Sequence, residues 1–210
     1  MKKGKFIVID GGEGSGKGTQ IQFLKEKYPN LVFTREPGGS PYGEEIRNII
    51  LKSPNAKQAD ALTHLCLFFA ARQDHMRNTI IPALKSGKNV ISDRGDSSSF
   101  VYQLYGLGGK HLKDLFLSLR KECLGEFVPD LYVVLDVEPK EGMRRVAERY
   151  KAKGDFNHFD DRGIDFHKRI QEGYFEFAKI FPKCVKIIDA NKSIEVVREN
   201  LTRIIEDVLK

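Results

Sequence analysis

The 210-residue sequence predicts an α/β fold of three layers, a five-stranded parallel sheet flanked by helices. Three observations predict it. Five short apolar runs are each too short for a helix and rich in Val, Ile or aromatic residues. None alternates cleanly with polar residues, which suits strands buried on both faces. Helical patterns separate the runs, the order expected of a parallel sheet.

The runs are residues 6–9, 31–33, 89–91, 131–135 and 185–188. Asp10, Thr34-Arg35, Asp93-Arg94, Asp136 and Asp189 stand at or just past their ends. Ligands of open α/β sheets bind beyond the carboxyl ends of the strands. Asp136 and Asp189 read as loop starters or helix caps, whereas arginine near two strand ends points to an anion. The final helix shows the clearest pattern. Ile194, Val197, Leu201, Ile204 and Val208 recur at steps of three and four after a candidate N-cap, Ser193. No repeat or low-complexity linker divides the chain, so 1–210 reads as one domain. The polar stretch YKAKGDFNH, 150–158, is the most loop-like segment. It reads as a connector or, in a nucleotide-handling enzyme, as part of a lid at about 148–160.

At 40% apolar and 30% charged, the composition is that of an ordinary globular protein. Cys66, Cys123 and Cys184 lie far apart with no C-x-x-C spacing, and read as reduced thiols. The opening MKKGKFIVID has too short an apolar run for a signal peptide, and no run approaches a membrane span. The expected location is cytoplasmic. The net charge of +6 fits either nucleic acid or small polyanions. Arg35, Arg72 and Arg94 cluster in the motifs below, which favours small polyanions and argues against a nucleic-acid partner.

GGEGSGKGTQ, 11–20, follows the first run and opens a helical pattern. Gly11 to Lys17 fits the P-loop pattern G-x-x-x-x-G-K in the strand–loop–helix context that confirms it. Phosphate oxygens need several backbone N–H groups converging without side chains in the way. Gly11, Gly12, Gly14 and Gly16, with Ser15 among them, supply that. The helix start adds its own unpaired N–H groups. Lys17 brings a charge to the β- and γ-phosphates. A P-loop usually places Ser or Thr next, where its hydroxyl reaches Mg²⁺. Gly18 has none. Thr19 lies about 100° further round the helix and can donate to phosphate, but cannot take that place. Magnesium is therefore expected on nucleotide, water and an acid from another strand, with Asp93 the candidate.

Three further stretches suggest a second anion site. TREPGGS, 34–40, carries Arg35; FFAARQDH, 68–75, sets Phe68 and Arg72 four apart; SDRGDSSSFVYQ, 92–103, carries Asp93 and Arg94 before a hydroxyl-rich turn. On spacing alone Phe68 fits core packing as well as ring stacking, and Tyr102 and Gln103 fit a helix surface. Jointly they offer two arginines for an anion, an aromatic face for a flat ring, and polar groups for its edge. That favours a phosphorylated nucleoside as acceptor.

TREPGG, F-x-A-A-R, DR…S-S-x-x-Y-Q and the helical stretch 164–179 together resemble the bacterial thymidylate kinases, from Phe6 to about Ala190. The resemblance implies transfer of the γ-phosphate of ATP to dTMP, giving dTDP and ADP for DNA precursor synthesis, in a P-loop kinase fold. It implies that Glu13 bonds the deoxyribose 3′-hydroxyl and that Arg35 and Arg94 hold the dTMP phosphate. Phe68 would stack on thymine and Arg72 reach its carbonyl edge. Ser98, Ser99 and Gln103 would lie near the base, and Tyr102 would crowd the ribose 2′ position. Asp93 would sit near Mg²⁺. A homodimer is implied, with no membrane partner.

Two positions depart from the family pattern. Gly18 looks more like adenylate kinases, and Gly95 stands where a larger residue is usual. In members without a P-loop arginine, lid arginines reach the transferring phosphate; here Arg149, Lys153 and His158 are the cations on offer. A phosphate acceptor has a second pKa of about 6, so no general base is needed. The five histidines form no persuasive triad pattern. Catalysis is then alignment and charge neutralisation by Lys17, Arg94, magnesium at Asp93 and a lid cation. Another small P-loop nucleotide or nucleoside kinase is the alternative that Gly18 supports. A non-enzymatic nucleotide switch or nucleic-acid module is the alternative that the basic charge supports.

Overall fold

The computed structural model describes residues 3–153, 159 and 162–210, with backbone alone at 152–153. Its sheet has five parallel strands in the order β2-β3-β1-β4-β5. These are β1 (Phe6–Gly11), β2 (Val32–Arg35), β3 (Val90–Asp93), β4 (Leu131–Asp136) and β5 (Val185–Asp189). Each expected run is a strand, and the predicted fold class holds.

Side chains alternate across a strand, so β1 feeds two cores. Phe6 and Val8 join Phe100, Tyr132, Val134 and Phe177 on one face. Ile7 and Ile9 join Leu24, Val133, Leu135, Leu201 and Ile205 on the other. This is why no polar alternation marks the central strands. The edges differ from that expectation. β2 is half-buried, and β5 exposes Lys186, Ile187 and Asp189, because each edge lacks a neighbour.

The helices are α1 (Lys17–Lys27), α2 (Pro41–Lys52), α3 (Ala61–His75), α4 (Ile81–Lys85), α5 (Asp96–Ser99), α6 (Lys113–Leu124), α7 (Pro139–Lys153), α8 (Ile164–Ile180) and α9 (Ile194–Leu209). A π turn, Met76–Ile80, joins α3 to α4, and a π segment, Phe100–Gly106, continues α5. Ser193 caps α9 through the Val196 N–H, and Val197, Leu201 and Ile205 face the core. Ile194, expected in the buried stripe, is 52% exposed; it sits on the first turn, beside the groove described below.

The loop-like reading of 150–158 fails in its first four residues. Tyr150 to Lys153 continue α7, since nothing breaks the helix before Gly154. Residues 154–158 and 160–161, with part of the expected lid, lie outside the described residues.

Register aligns the carboxyl ends of three strands. Asp93 lies opposite Ile9 on one side and Arg35 on the other. β2 follows β1 in the chain but sits beyond β3, while β4 and β5 lie on the other side. The loops after β1, β2 and β3 therefore converge at a switch in strand order, where such sheets bind ligands. Asp96 pins the start of α5 to β4, accepting from Arg120 Nε at 2.6 Å and from the Tyr132 hydroxyl at 2.7 Å.

Candidate active site

The loop after β1 winds around two glycines in the left-handed region. Gly14 has φ 73° and Gly16, which leads into α1, φ 80°. At Gly14 a side chain is barred twice: its Cβ would meet the Gly142 carbonyl oxygen of α7 at 2.2 Å. Gly142 in turn has the Glu13 carbonyl oxygen 2.5 Å from an added Cβ. The cradle and the first turn of α7 thus touch backbone to backbone. Gly18 is different: an added Cβ would meet nothing within 4 Å, so space does not require glycine there.

Two clefts flank the loop. The first, about 590 Å³, is a groove between Gly12–Gln20, α7 and the start of α9. Arg145 bridges its ends, donating from Nη1 to Gly14 O at 3.3 Å and Ala190 O at 3.1 Å. Ser15, Thr19 and the loop glycines Gly12, Gly14, Gly16 and Gly18 line it; Gly11 is buried beneath. The second cleft, about 480 Å³, opens at the ends of β2 and β3. Arg35, Phe68, Asp93, Arg94, Ser98 and Tyr102 line it. Glu13, Lys17, Gly18 and Arg149 line both.

Charge is densest where the clefts meet. Lys17 Nζ lies 3.1 Å from Asp93 Oδ1. Burial pushes the Asp93 carboxyl up, but Lys17 and Arg94 outweigh it and hold it below its ordinary value. Arg94 has φ 69°, an uncommon conformation for a non-glycine residue. Its Nη2 donates to Glu13 Oε1 at 2.8 Å, and Nη1 to Ser98 Oγ at 3.1 Å and Asp10 Oδ1 at 3.3 Å. The Tyr102 hydroxyl donates to the same Glu13 oxygen at 2.8 Å. Burial raises Glu13, yet Arg94 and Lys17 pull it below the usual carboxylate range. Burial opposes the Arg94 charge, and neighbouring Tyr102 and Glu13 more than restore it.

Behind the second cleft lies a buried layer. Arg72 donates from Nε to Glu36 Oε2 at 2.8 Å and from Nη2 to Ser99 Oγ at 2.9 Å and Gly95 O at 3.0 Å. Its Nη1 is buried with no hydrogen-bond partner among the described residues. Both amide atoms of Gln103 are likewise buried and without a partner there. Arg72, Ser99 and Gln103 do not line the cleft wall themselves. The helix-surface reading of Tyr102 and Gln103 is overturned. They are 6% and 0% exposed, because α8 and α6 pack over the π segment. Phe68 is both things its spacing allowed, 8% exposed in the core cluster and on the cleft wall.

Arg35 is more exposed, paired with Glu44 at 2.9 Å. The Lys153 side chain and His158 lie outside the described residues; Arg149 is the expected lid cation that is described. Asp189 accepts from the Asn191 N–H at 3.0 Å, as a loop starter does, and Asp136 accepts from Gln171 at 2.9 Å.

Arg47 and Glu36 carry parts that the sequence did not suggest, and Asp10, noted there only as a strand end, has a larger one. Arg47 lines the second cleft and donates to Pro37 O at 2.8 Å. It is the sole cation among the apolar residues of IRNII, a signal that helix patterning alone treats as surface. Glu36 adjoins Arg35 at a strand end but turns inward to Arg72 and His75. Asp10 is wholly buried and accepts from Ser97, Ser98 and Tyr174 at 2.6, 2.9 and 2.7 Å. Only the fold brings those three donors together.

A family model described as thymidylate kinase matches residues 9–201. The chain belongs to the thymidylate kinase family. It is 41% identical to a thymidylate kinase of Ruthia magnifica subsp. Calyptogena magnifica, over 98% of this chain and 99% of that one. It is 40% identical to one from Nitrosospira multiformis, over 98% of each. A crystal structure of thymidylate kinase from Ehrlichia chaffeensis superposes with a TM-score of 0.74 at 28% identity, over 97% of this chain and 99% of that one. Membership makes the chain a phosphotransferase with a phosphate group as acceptor. No described helix is long and apolar enough to cross a membrane.

Proposed function

We propose that the chain binds ATP in the groove beyond the cradle and dTMP in the cleft at the ends of β2 and β3. ATP-dependent phosphorylation of dTMP to dTDP is the reaction of the family to which the chain belongs. One observation carries the placement of the acceptor. Arg72 Nη1 and the Gln103 amide are buried polar groups with no hydrogen-bond partner among the described residues, behind a cleft walled by Phe68. Buried donors and acceptors left unpaired are costly and rare. A thymine stacked on Phe68, with Ser98 and Ser99 nearby, would present complementary carbonyl and N–H edges.

The remaining roles follow by position. Arg35, Arg47 and Arg94 meet the dTMP phosphate, and Glu13 accepts from the 3′-hydroxyl. Tyr102, locked on Glu13, crowds a ribose 2′-hydroxyl. A nonbridging oxygen of the dTMP phosphate attacks the γ-phosphorus. The bond from that phosphorus to the β–γ bridging oxygen breaks, and ADP leaves. Backbone N–H groups of the cradle, Lys17 and Arg94 hold the two anions in line and take up developing charge. Arg149, which lines both clefts, is the proposed cation of a lid at 148–160.

Mg²⁺ is proposed as the metal. No group of three His, Cys, Asp or Glu that could hold a metal occurs among the described residues, which fits an ion held mainly by nucleotide phosphates and water. Asp93, its pKa lowered beside Lys17, is the carboxylate placed to share it. When bound, magnesium supplies neutralisation of the β- and γ-phosphate oxygens.

The enzyme is proposed to act in the cytoplasm as a homodimer without nucleic acid. Helices α2, α3 and α6 expose Tyr42, Ile49, Leu62 and Leu115, apolar side chains that a second copy would cover; sedimentation tests the dimer. The substrate assignment is tested by ADP formation from ATP and magnesium with dTMP, dUMP, AMP, CMP, GMP and thymidine. Fastest turnover is expected with dTMP. Turnover confined to AMP or thymidine would overturn it.

A further inference from the structure

Phe159 is 5% exposed and lines the acceptor cleft beside Phe68 and Tyr102. Nothing in the sequence reading gave it a role. Its ring stands edge-on to Tyr102, with centroids 5.6 Å apart at 87°. It also packs on His64 at 5.6 Å and stacks on Phe166 of α8 at 6.5 Å.

Tyr102 is the ring that matters in this box. Its hydroxyl donates to Glu13 Oε1 at 2.8 Å, the oxygen that also takes Arg94 Nη2. The Arg94 guanidinium lies over the Tyr102 ring at 5.1 Å, and Phe166 meets it at 6.1 Å. Among the described residues Phe159 is the aromatic side chain of the cleft wall that meets the ring edge-on. Without it, the phenol has cleft space to tilt into, and a small tilt breaks the bond to Glu13.

We propose that Phe159 is a positioning residue for sugar discrimination, bracing Tyr102 so that its hydroxyl stays on Glu13 and fills the space a ribose 2′-hydroxyl would need. The inference rests on the placement of the acceptor sugar at Glu13 and Tyr102. Phe159 contributes no polar atom; it acts through the ring it supports. Edge-to-face aromatic pairs contribute enough to hold one rotamer against a few-fold competition.

The test compares kcat/KM for dTMP and for ribothymidine 5′-monophosphate in F159Y, F159L, F159A and Y102A. In F159A the deoxy-to-ribo ratio should fall about 3- to 10-fold, with KM for ATP unchanged. F159L should fall part of the way, and reads the same ratio if F159A fails to fold. F159Y, which keeps the ring, should retain the parental ratio. Equal losses for both acceptors in F159L and F159A would mean that Phe159 merely packs, and would overturn the inference. The Y102A arm separates that failure from a deeper one. A lowered ratio in Y102A with an unchanged ratio in the Phe159 variants sinks the bracing role alone. An unchanged ratio in Y102A sinks the sugar assignment on which it rests.

Discussion

The two clefts share a wall and hold their charges in opposite ways. On the acceptor side, Arg72 is 1% exposed against Glu36, and Arg94 is bonded to Glu13 and Asp10 beneath Tyr102. In the groove the cradle is mostly backbone with Lys17 at its end, and of the α7 charges Arg144 stands exposed while Arg145 is half-buried. Buried ion pairs carry a heavy desolvation cost and gain little net stability over apolar residues. What they provide is fixed orientation. On the proposed assignment, the acceptor cleft reads one pattern of hydrogen bonds and the donor groove holds phosphate through N–H groups. Gly18 fits this proposed contrast: among the described residues an added Cβ there would meet nothing within 4 Å, and phosphate bound by backbone N–H groups would not need its hydroxyl.

Removing the buried cation of the second cleft should break the contrast most severely. Arg94→Ala takes away the guanidinium bonded to Glu13, and kcat should fall about 10²- to 10³-fold, as when a preorganised charge donor is lost. ATP affinity should change less than about threefold, because backbone N–H groups carry it. Equal losses in kcat and ATP binding, by steady-state kinetics and calorimetry, would place Arg94 on the donor side instead.

The buried pair comes next. Arg72→Met leaves Glu36 buried with His75 but without its guanidinium, and should lower stability by about 3–5 kcal/mol in urea titrations. Adding Glu36→Leu should recover most of that, while KM for dTMP stays raised. Recovery of both would make the pair structural only. The pH dependence has a definite sign. Burial raises the Glu36 carboxyl, but Arg72 and His75 pull it below its ordinary value of 4.5. A depressed carboxyl contributes fully above its unfolded value and loses that contribution as pH falls through the folded one. The stability gap between the parent and Glu36→Gln should therefore be constant above about pH 4.5 and shrink in more acid solution.

The same division explains what was legible in the sequence. Backbone devices announce themselves through residue type, so the cradle and all five strands could be read, with strand ends off by a residue or two. Arg35, Phe68, Asp93, Arg94 and Tyr102 stand near strand ends or one helical turn apart, and the fold does bring them to one cleft. Burial was harder to read. Tyr102 and Gln103 looked like helix surface because α8, which packs most extensively over the π segment, lies far along the chain. Asp10 resembled any loop-starting aspartate, since Ser97 and Tyr174 reach it only through tertiary packing. Arg47 was hidden by its helix. The loop-like look of 150–153 reflected polarity, which an exposed helix shares.

Backbone contact between the cradle and α7 sharpens the donor side. Glycine-to-alanine in a helix ordinarily stabilises by about 0.5–1 kcal/mol. Gly142→Ala would instead press a methyl group toward Glu13 O, 2.5 Å from the ideal Cβ position. α7 or the cradle must then move, and overpacking should win by about 1–3 kcal/mol. KM should rise for both substrates, since Glu13 and Lys17 line both clefts. A more stable variant with parental kinetics would show that α7 yields freely and that the cradle does not depend on it.

The smallest effect belongs to the exposed charges of the groove. Arg144 bonds Glu141 and Glu148 within its own helix, and its bonds with those of Arg145 draw Glu141 down to about 2 against a smaller opposing effect of burial. Solvent and salt screen such pairs, and the side-chain entropy of holding them offsets much of the attraction. Arg144→Ala should shift Tm by no more than about 1 °C, and the shift should vanish in high salt. Its effect on ATP should be a modest rise in KM that also fades with salt, leaving kcat for dTMP untouched. A salt-independent loss of kcat would mean that Arg144 reaches the reacting phosphates, and the line between a backbone-built donor groove and a side-chain-built acceptor cleft would have to be redrawn.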